Sequence, residues 1–217
     1  MVTLVLTRHG ATTRSEPEQH LGQRIDIELS PAGREAAGAL AMRLEGVQFE
    51  RVISSPLRRA QETAVRAVPG ATIETDTRLA EMDYGEWEGL TYEQIDERDA
   101  ELRDAWERDP ATLACPGGES GADVARRVHS FLDELVEWGE GSGADGNPQV
   151  LAVAHSTTNR ILLAVSLGVP LRDYRLRFRQ DPANLTVLRF AGLESGALLL
   201  VANDVAHIKG VRGRTWG

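Results

Sequence analysis

Two histidines stand directly after short apolar stretches of the chain, where side chains are well placed for chemistry. Arg8 and His9 follow the alternating stretch VTLVLT at 2–7, and His155 follows QVLAVA at 149–154. Both stretches are expected to be β-strands. Ligands of an open α/β sheet bind outside the carboxyl ends of its strands, so the two imidazoles are expected to meet at one sheet edge. One such histidine is more often structural, but two in equivalent positions predict a shared site.

Two further motifs add cations and a carboxylate. Arg58 and Arg59 lie in SSPLRRAQETA at 54–64, where a strand is expected to run into a helix. A helix N-terminus favours anions, and planar guanidinium groups bind phosphate oxygens in pairs. Glu81 stands in LAEMDYGEWEGL at 79–90, in partly apolar surroundings that suit a general acid. The simpler interpretation is a set of surface arginines, with Glu81 in a salt bridge to one of them.

These residue types fit two kinds of site. Histidines, arginines and one glutamate suit phosphoryl transfer through a histidine nucleophile, because cations balance the charge on the phosphoryl oxygens. The alternative is a metal site built from His9, His155, Glu81 and His207. Arg8 beside His9 disfavours a metal, since a cation next to a dication is repelled. No HxH, HExxH or DxD spacing supports one either.

The composition limits the classes of function. The chain has 217 residues, 41% of them hydrophobic, and a formal net charge of −9. This charge disfavours general nucleic-acid binding, although a local arginine cluster can still bind an anionic small molecule. Cys115 is the only cysteine, and no stretch approaches the ~18 apolar residues of a membrane span. We therefore expect a cytoplasmic enzyme with no nucleic-acid or membrane partner; a homodimer is compatible with the sequence.

The elements that must position these residues alternate between strands and helices. Strands are expected at 2–7, 51–54, 71–74, 149–154, 185–190 and 197–202, and helices at about 31–44, 56–67, 91–108, 119–138 and 157–167. Ser30 before a proline, and Thr91 three residues before Gln94, are N-terminal capping signals. This alternation predicts an α/β fold, a three-layer α/β/α sandwich around a mostly parallel sheet. One domain is expected over 1–210, with a loose tail at 211–217.

Two stretches between these elements have an unusual composition. Residues 91–120 are rich in charge, which indicates either a solvated helix face, the commoner case, or a cap over an active site. Residues 139–148, GEGSGADGNP, are glycine-rich and acidic, and they predict an exposed loop.

Five motifs carry a resemblance to a known family. They are LTRHGAT, SSPLRRAQETA, LAEMDYGEWEG, PGGES and AVAHS, in this order along the chain. Together they resemble the histidine phosphatase superfamily, also called phosphoglycerate mutase-like, from residue 2 to about 207. The resemblance implies a phosphoglycerate mutase-like fold with a helical cap inserted at about 85–120.

The resemblance also implies a role for each principal residue. His9 is expected to attack phosphorus and become phosphohistidine, with Arg8 and Arg59 as the phosphate clamp. His155 is expected to donate to a phosphoryl oxygen, and Glu81 to protonate the leaving alcohol and then activate water. No metal or cofactor is expected, because the cations and the second imidazole already balance the charge of the phosphoryl group.

The other residues expected to bind substrate are Thr12, Ser15, Gln23 and Ser156. Some of them depart from the family pattern, since Ser15 replaces an asparagine and Gln23 follows its glycine rather than preceding it. Ser156 and Thr157 replace a pair of glycines, and their hydroxyls either bind phosphate or cap the following helix. Gly10 is expected to let the backbone approach the phosphate closely.

The fate of the phosphohistidine separates two activities. Transfer to water gives a phosphatase, and return to another hydroxyl of phosphoglycerate gives a mutase. Mutases of the family carry two arginines after a tryptophan in a longer insertion, whereas here Trp106 is followed by Glu107 and Arg108. The sequence therefore favours a phosphomonoesterase acting on a small phosphorylated metabolite. The alternatives are a phosphoglycerate mutase and, less favoured, a non-catalytic binder of phospho-ligands.

Overall fold

One six-stranded sheet forms the centre of the molecule. The computed structural model describes residues 1–142, 147–192 and 196–208. Its strands are β1 (Val2–Arg8), β2 (Arg51–Ser54), β3 (Ile73–Thr75), β4 (Gln149–Ala154), β5 (Leu185–Phe190) and β6 (Ala197–Asp204). Their order across the sheet is β3-β2-β4-β1-β5-β6. The two strands that precede the histidines, β1 and β4, are therefore central neighbours.

The sheet is mixed, with parallel pairing in one half and antiparallel pairing in the other. β1 pairs with β4, and β2 pairs with β3 and β4, in parallel. β5 runs antiparallel to both β1 and β6, so three of the five strand pairs are parallel, as expected for a mostly parallel sheet. The β1–β4 register sets Arg8 opposite Ala154. His9 and His155, the next residues, therefore leave the sheet side by side.

Helices cover both faces of the sheet. They are α1 (Pro31–Arg43), α2 (Arg58–Ala67), α3 (Tyr92–Arg108), α4 (Gly121–Gly141), α5 (Ser156–Ser166) and α6 (Tyr174–Arg177). Leu4 and Leu6 of β1 belong to the core that includes α4 and α5, whereas Val5 belongs to the core that includes α1 and α2. Strands buried on both sides read as continuous apolar runs. The expected three-layer sandwich is confirmed.

Three of the helices, α1, α3 and α4, begin directly after a side-chain capping residue. Ser30 caps α1 through its hydroxyl, with a proline at the first helical position. Thr91 and Gln94 form a capping box at α3, as the spacing predicts. Ser120 and Asp123 form a second box, so α4 begins at 121 rather than at 119.

The start of α2 differs from the expected one. Pro56 is not its first residue, and the helix begins at Arg58. The Ser55 hydroxyl accepts a hydrogen bond from the Leu57 N–H at 3.3 Å, which makes a turn between β2 and the helix. Arg59 nevertheless falls in the first helical turn, as expected.

Other boundaries shift by a few residues. β3 occupies 73–75 instead of 71–74, where it pairs with β2 alone. α4 continues to Gly141, so the first residues of the expected 139–148 loop are helical, while 143–146 and the tail 211–217 lie outside the described residues. Within the described ranges, no helix has both the length and the hydropathy to cross a bilayer.

Candidate active site

His9 lies at the carboxyl end of β1 and is 5% exposed. Its backbone N–H donates to the Ala154 carbonyl at 3.0 Å, which continues the pairing with β4. Nδ1 lies 2.7 Å from the Gly10 carbonyl oxygen, and since a carbonyl only accepts, Nδ1 carries the proton and Nε2 keeps its lone pair. Burial lowers the pKa of His9 well below its usual value, and the charges of Arg59 and Arg8 lower it further. The imidazole is therefore neutral, and the lone pair of Nε2 is available.

Two guanidinium groups lie beside this imidazole. Arg59 is completely buried, and its Nη atoms donate to backbone carbonyls of the loop 21–25 at 2.7–3.3 Å. Arg8 donates from Nη1 to the Gln180 carbonyl at 2.9 Å. Nε of each guanidinium is buried without an acceptor among the described residues. Each arginine is thus fixed through its Nη atoms and retains an N–H for an anion.

His155 is the second imidazole of the site and is fully buried. Its ring centroid lies 5.0 Å from that of His9, with the ring planes at 57°. Nε2 lies 2.7 Å from the Ser55 Oγ, and Nδ1 has no partner within the described part of the chain. Burial, followed by the charge of Arg59, holds the pKa of His155 well below its usual value. The two imidazoles are therefore both neutral.

Glu81 is held by the start of α5 and is 4% exposed. Oε1 accepts from the N–H groups of Met82 at 2.9 Å and Thr158 at 3.1 Å, and Oε2 accepts from the Thr157 N–H at 3.1 Å. The N–H groups of a first helical turn have no partner inside the helix, so the carboxylate caps α5. Within the described residues the alternative salt bridge to an arginine is not formed, because backbone N–H groups hold the carboxylate instead.

A cavity opens where these groups meet. Its lining includes Arg8, His9, Ser15, Glu81 and Ser156, five of the residues expected from the sequence. Arg59 and His155 do not line it, since both are completely buried; the His155 ring lies 5.0 Å from that of His9, and the charge of Arg59 acts on His9. The sheet edge thus gathers all five residues expected to be catalytic.

Two of the expected substrate-binding residues are used elsewhere. Thr12 is 4% exposed and does not line the cavity; its Oγ1 accepts from the Arg14 N–H at 3.3 Å. The Gln23 side chain donates from Nε2 to the Glu81 carbonyl at 2.8 Å and to Glu119 at 3.2 Å. Both side chains therefore support the loops around the cavity rather than face it.

Gly10 and His207 each have a packing or hydrogen-bond contact outside the cavity. A Cβ at Gly10 would lie 2.6 Å from the Gly33 carbonyl oxygen, so contact with α1 by itself requires a glycine at this position. His207 is hydrogen-bonded to the Ala183 carbonyl at 2.9 Å and lines a separate cavity beside α1. Among the described residues, no group of three or more His, Cys, Asp and Glu side chains is arranged to hold a metal ion.

Comparison with known proteins assigns the chain to a family. Residues 4–204 match the histidine phosphatase superfamily (branch 1). The chain belongs to this superfamily. It is similar to a glucosyl-3-phosphoglycerate phosphatase of Mycobacterium tuberculosis, with 42% identity over 177 residues, covering 79% of this chain and 78% of the relative. It is also similar to phosphoserine phosphatase 1 of Hydrogenobacter thermophilus, with 30% identity, covering 96% and 95% of the two chains.

Solved structures agree with this assignment. A mycobacterial glucosyl-3-phosphoglycerate phosphatase in complex with inorganic phosphate superposes with a TM-score of 0.83 and 38% identity. The superposition covers 96% of this chain and all of that one (100%). The phosphoglycerate mutase-like fold expected from the motifs is therefore confirmed.

Several residues of this histidine phosphatase site were missed by reasoning from the sequence. Arg160, Arg175, His20, Tyr84 and Tyr92 line the cavity as well. A signal existed for Arg160, because it lies one helical turn after Ser156 on α5. No local pattern points to Arg175 or His20, since only the folded chain brings them to the cavity.

The missed aromatic residues make one wall of the cavity. The His20 ring packs edge-on against Tyr84 and Tyr92, with centroids 4.7 and 4.9 Å away. Burial, followed by the charge of Arg175, lowers the pKa of His20 to about 4, so this imidazole is also neutral. The Tyr84 hydroxyl lies 2.6 Å from the Thr157 Oγ1. The Thr157 side chain therefore contacts this aromatic wall, while its backbone N–H donates to Glu81.

Proposed function

We propose that this chain is a metal-independent phosphomonoesterase that hydrolyses a small phosphorylated metabolite through a phosphohistidine at His9. One observation carries the proposal: the Nδ1–H···O bond to Gly10 leaves the lone pair of Nε2 free on an imidazole that the charges of Arg59 and Arg8 keep neutral. The names of the two phosphatase relatives support the substrate class.

The proposed reaction has two steps. Nε2 of His9 attacks phosphorus, the ester P–O bond breaks, and the leaving oxygen takes a proton from the Glu81 carboxyl group. A water molecule then attacks the phosphohistidine, Glu81 accepts its proton, and the N–P bond breaks to release inorganic phosphate. Exchange of one proton through one carboxyl group returns the enzyme to its starting state.

The remaining groups stabilise the charge that develops on the phosphoryl oxygens. The free Nε–H groups of Arg8 and Arg59 are the proposed donors on one side. On the other side we propose that the Ser55 hydroxyl donates to Nε2 of His155, which places the ring proton on Nδ1, the atom without a protein partner. His155 then donates from Nδ1 to a phosphoryl oxygen.

Product analysis in the presence of EDTA tests this function. The wild-type protein is expected to release inorganic phosphate from a panel of phosphomonoesters, and the H9A variant to release none above background. Conversion of 3-phosphoglycerate to 2-phosphoglycerate without phosphate release would identify a mutase instead. Activity that disappears with EDTA and returns with a divalent metal would contradict the metal-independent mechanism.

A further inference from the structure

Glu81 stands in a segment of the chain without regular secondary structure. Residues 80–84 lie between two short 3₁₀ helices, of which one ends at Leu79 and the other begins at Gly85. The hydrogen bonds of a helix or a sheet therefore do not fix the backbone that carries Glu81. The start of α5 holds the carboxylate end of the side chain, so the backbone end needs a separate support.

Arg127 of α4 contacts this backbone. Its Nη1 donates to the carbonyls of Arg78 at 2.6 Å and Ala80 at 2.7 Å, and its Nη2 donates to the Glu81 carbonyl at 3.2 Å. Nε and Nη2 also donate to the two carboxylate oxygens of Glu119, each at 3.3 Å. All the donors of the guanidinium group are thus used. Because this group is planar and its N–H directions are fixed, it holds the three carbonyls in one arrangement.

Glu119 holds the chain that follows Glu81. It belongs to the PGGES motif, which the reaction itself does not use. Its Oε2 accepts from the Asp83 N–H at 2.9 Å and from the Gln23 Nε2 at 3.2 Å, and its own N–H donates to the Asp83 carbonyl at 2.8 Å. The side chains of Arg127 and Glu119 are 16% and 24% exposed, so water screens this ion pair less than one at the surface. The pair therefore fixes the backbone both before and after Glu81.

We propose that the ion pair of Arg127 and Glu119 positions Glu81 for proton transfer to the leaving oxygen. Neither side chain lines the cavity, so the pair acts through Glu81 and not on the substrate. An acid must lie within hydrogen-bond distance of the atom that it protonates, and a displacement of about 1 Å can slow a reaction about 100-fold. This inference rests on the proposed phosphatase function, since Glu81 is the acid of that reaction.

Two phosphate esters with different leaving groups test the proposal. p-Nitrophenolate leaves without a proton, whereas an alkoxide needs the acid. The alkyl ester is glycerol 3-phosphate or 3-phosphoglycerate, whichever the wild type hydrolyses faster. In R127Q, kcat/KM is expected to fall about 10- to 100-fold for the alkyl ester and to stay within about threefold of wild type for p-nitrophenyl phosphate. R127K, which keeps the charge without the planar group, should show a smaller loss for the alkyl ester.

The double variant E81Q/R127Q separates positioning of the acid from a general structural role. E81Q already removes the acid, so R127Q is expected to lower kcat/KM for the alkyl ester by less than about threefold in that background. Independent effects would multiply, and a loss in the double variant equal to the product of the two single losses would overturn the proposal.

The matched control is R126Q. Arg126 precedes Arg127 on α4, but its side chain is 76% exposed and pairs with Asp123 on the same helix, so both esters should react as in the wild type. If R127Q does not fold, R127K and E119Q provide the same comparison of esters. Wild-type kinetics in these variants, or equal losses on both esters, would overturn the positioning role and leave the phosphatase function standing. A wild type that hydrolyses no phosphomonoester would contradict the function as well.

Discussion

At the scale of single residues, the chemistry depends on which nitrogen of each histidine carries its proton. The Gly10 carbonyl fixes the proton of His9 on Nδ1. In the proposed mechanism, the Ser55 hydroxyl, 2.7 Å from Nε2 of His155, donates to that atom and so places the ring proton on Nδ1. We propose that these two contacts prepare His9 as the nucleophile and His155 as a hydrogen-bond donor to the phosphoryl oxygens.

The S55A variant tests the second contact. Without the hydroxyl, Nε2 of His155 loses its partner, and Nδ1 is no longer held as the donor. We expect kcat to fall about tenfold, with little change in KM, because the lost interaction matters most in the transition state. The measurement is steady-state kinetics with one phosphomonoester.

A neighbouring serine provides the control for that variant. Ser54 is also fully buried, but its hydroxyl donates to the Ser55 carbonyl at 2.9 Å and does not contact His155. S54A should therefore keep kcat within about twofold of wild type. Equal losses in the two variants would show that packing, rather than the histidine proton, accounts for the effect.

At the scale of elements, α1 supports the loop that follows His9. A Cβ at Gly33 would lie 2.0 Å from the Ala11 carbonyl oxygen, while a Cβ at Gly38, five residues later in α1, meets nothing within 4 Å. The helix therefore touches the loop backbone directly at its first turn. The loop and the nucleophile share this support.

Two glycine-to-alanine variants of the same helix test this contact. G38A is expected to stabilise the protein by about 0.5–1 kcal/mol, because alanine is the better helix former. G33A is expected to destabilise it by about 1–3 kcal/mol and to lower kcat, since the loop must move away from the added methyl group. Urea unfolding and steady-state kinetics measure both. A G33A enzyme with wild-type stability and kcat would contradict the proposed support.

The elements were largely predictable, because their signals are local. The capping residues Ser30 and Thr91 and the apolar runs of β1 and β4 are read from a few neighbouring positions. The start of α2 was predicted at Pro56 but lies at Arg58. The Ser55 hydroxyl accepts from the Leu57 N–H and so forms a turn before the helix. Arg175 was not predicted to line the cavity. Its contacts with Trp106 and Glu107 of α3 form only in the folded chain and leave no local pattern in the sequence.

At the scale of the whole molecule, burial of neutral histidines links stability to pH. His9, His20 and His155 are at most 6% exposed, and burial lowers the pKa of each. In the unfolded chain these groups titrate near 6.5, so below that pH the unfolded state binds more protons than the native state. Stability is therefore independent of these groups above pH 6.5 and falls as the pH decreases below it.

The H20F variant isolates one of these contributions. The pKa of His20 is about 4 in the folded protein, so its contribution to stability is lost between pH 6.5 and pH 4. Over that window, the wild type should lose about 1.4 kcal/mol per pH unit from this histidine, and H20F should lack this part of the slope. Urea unfolding at several pH values measures it, with H129Q on the exposed face of α4 as the control. Identical slopes in wild type and H20F would refute the assignment.

The sequence indicated the five residues expected to be catalytic but not their surroundings. His9 and His155 could be placed together because parallel strands end at one edge. The cradle of backbone N–H groups around Glu81 could not be foreseen, since Glu81 and Thr157 are far apart in the chain and meet only through the packing of α5.

The most direct test of the central claim is to identify the covalent intermediate. Wild-type and E81Q proteins are mixed with p-nitrophenyl phosphate, quenched in alkali, digested and analysed by mass spectrometry. We expect one phosphoryl group on the peptide that contains His9, in larger amount in E81Q because activation of water is slowed. A phosphoryl group on another residue, or phosphate release with no phosphoenzyme in either protein, would contradict it.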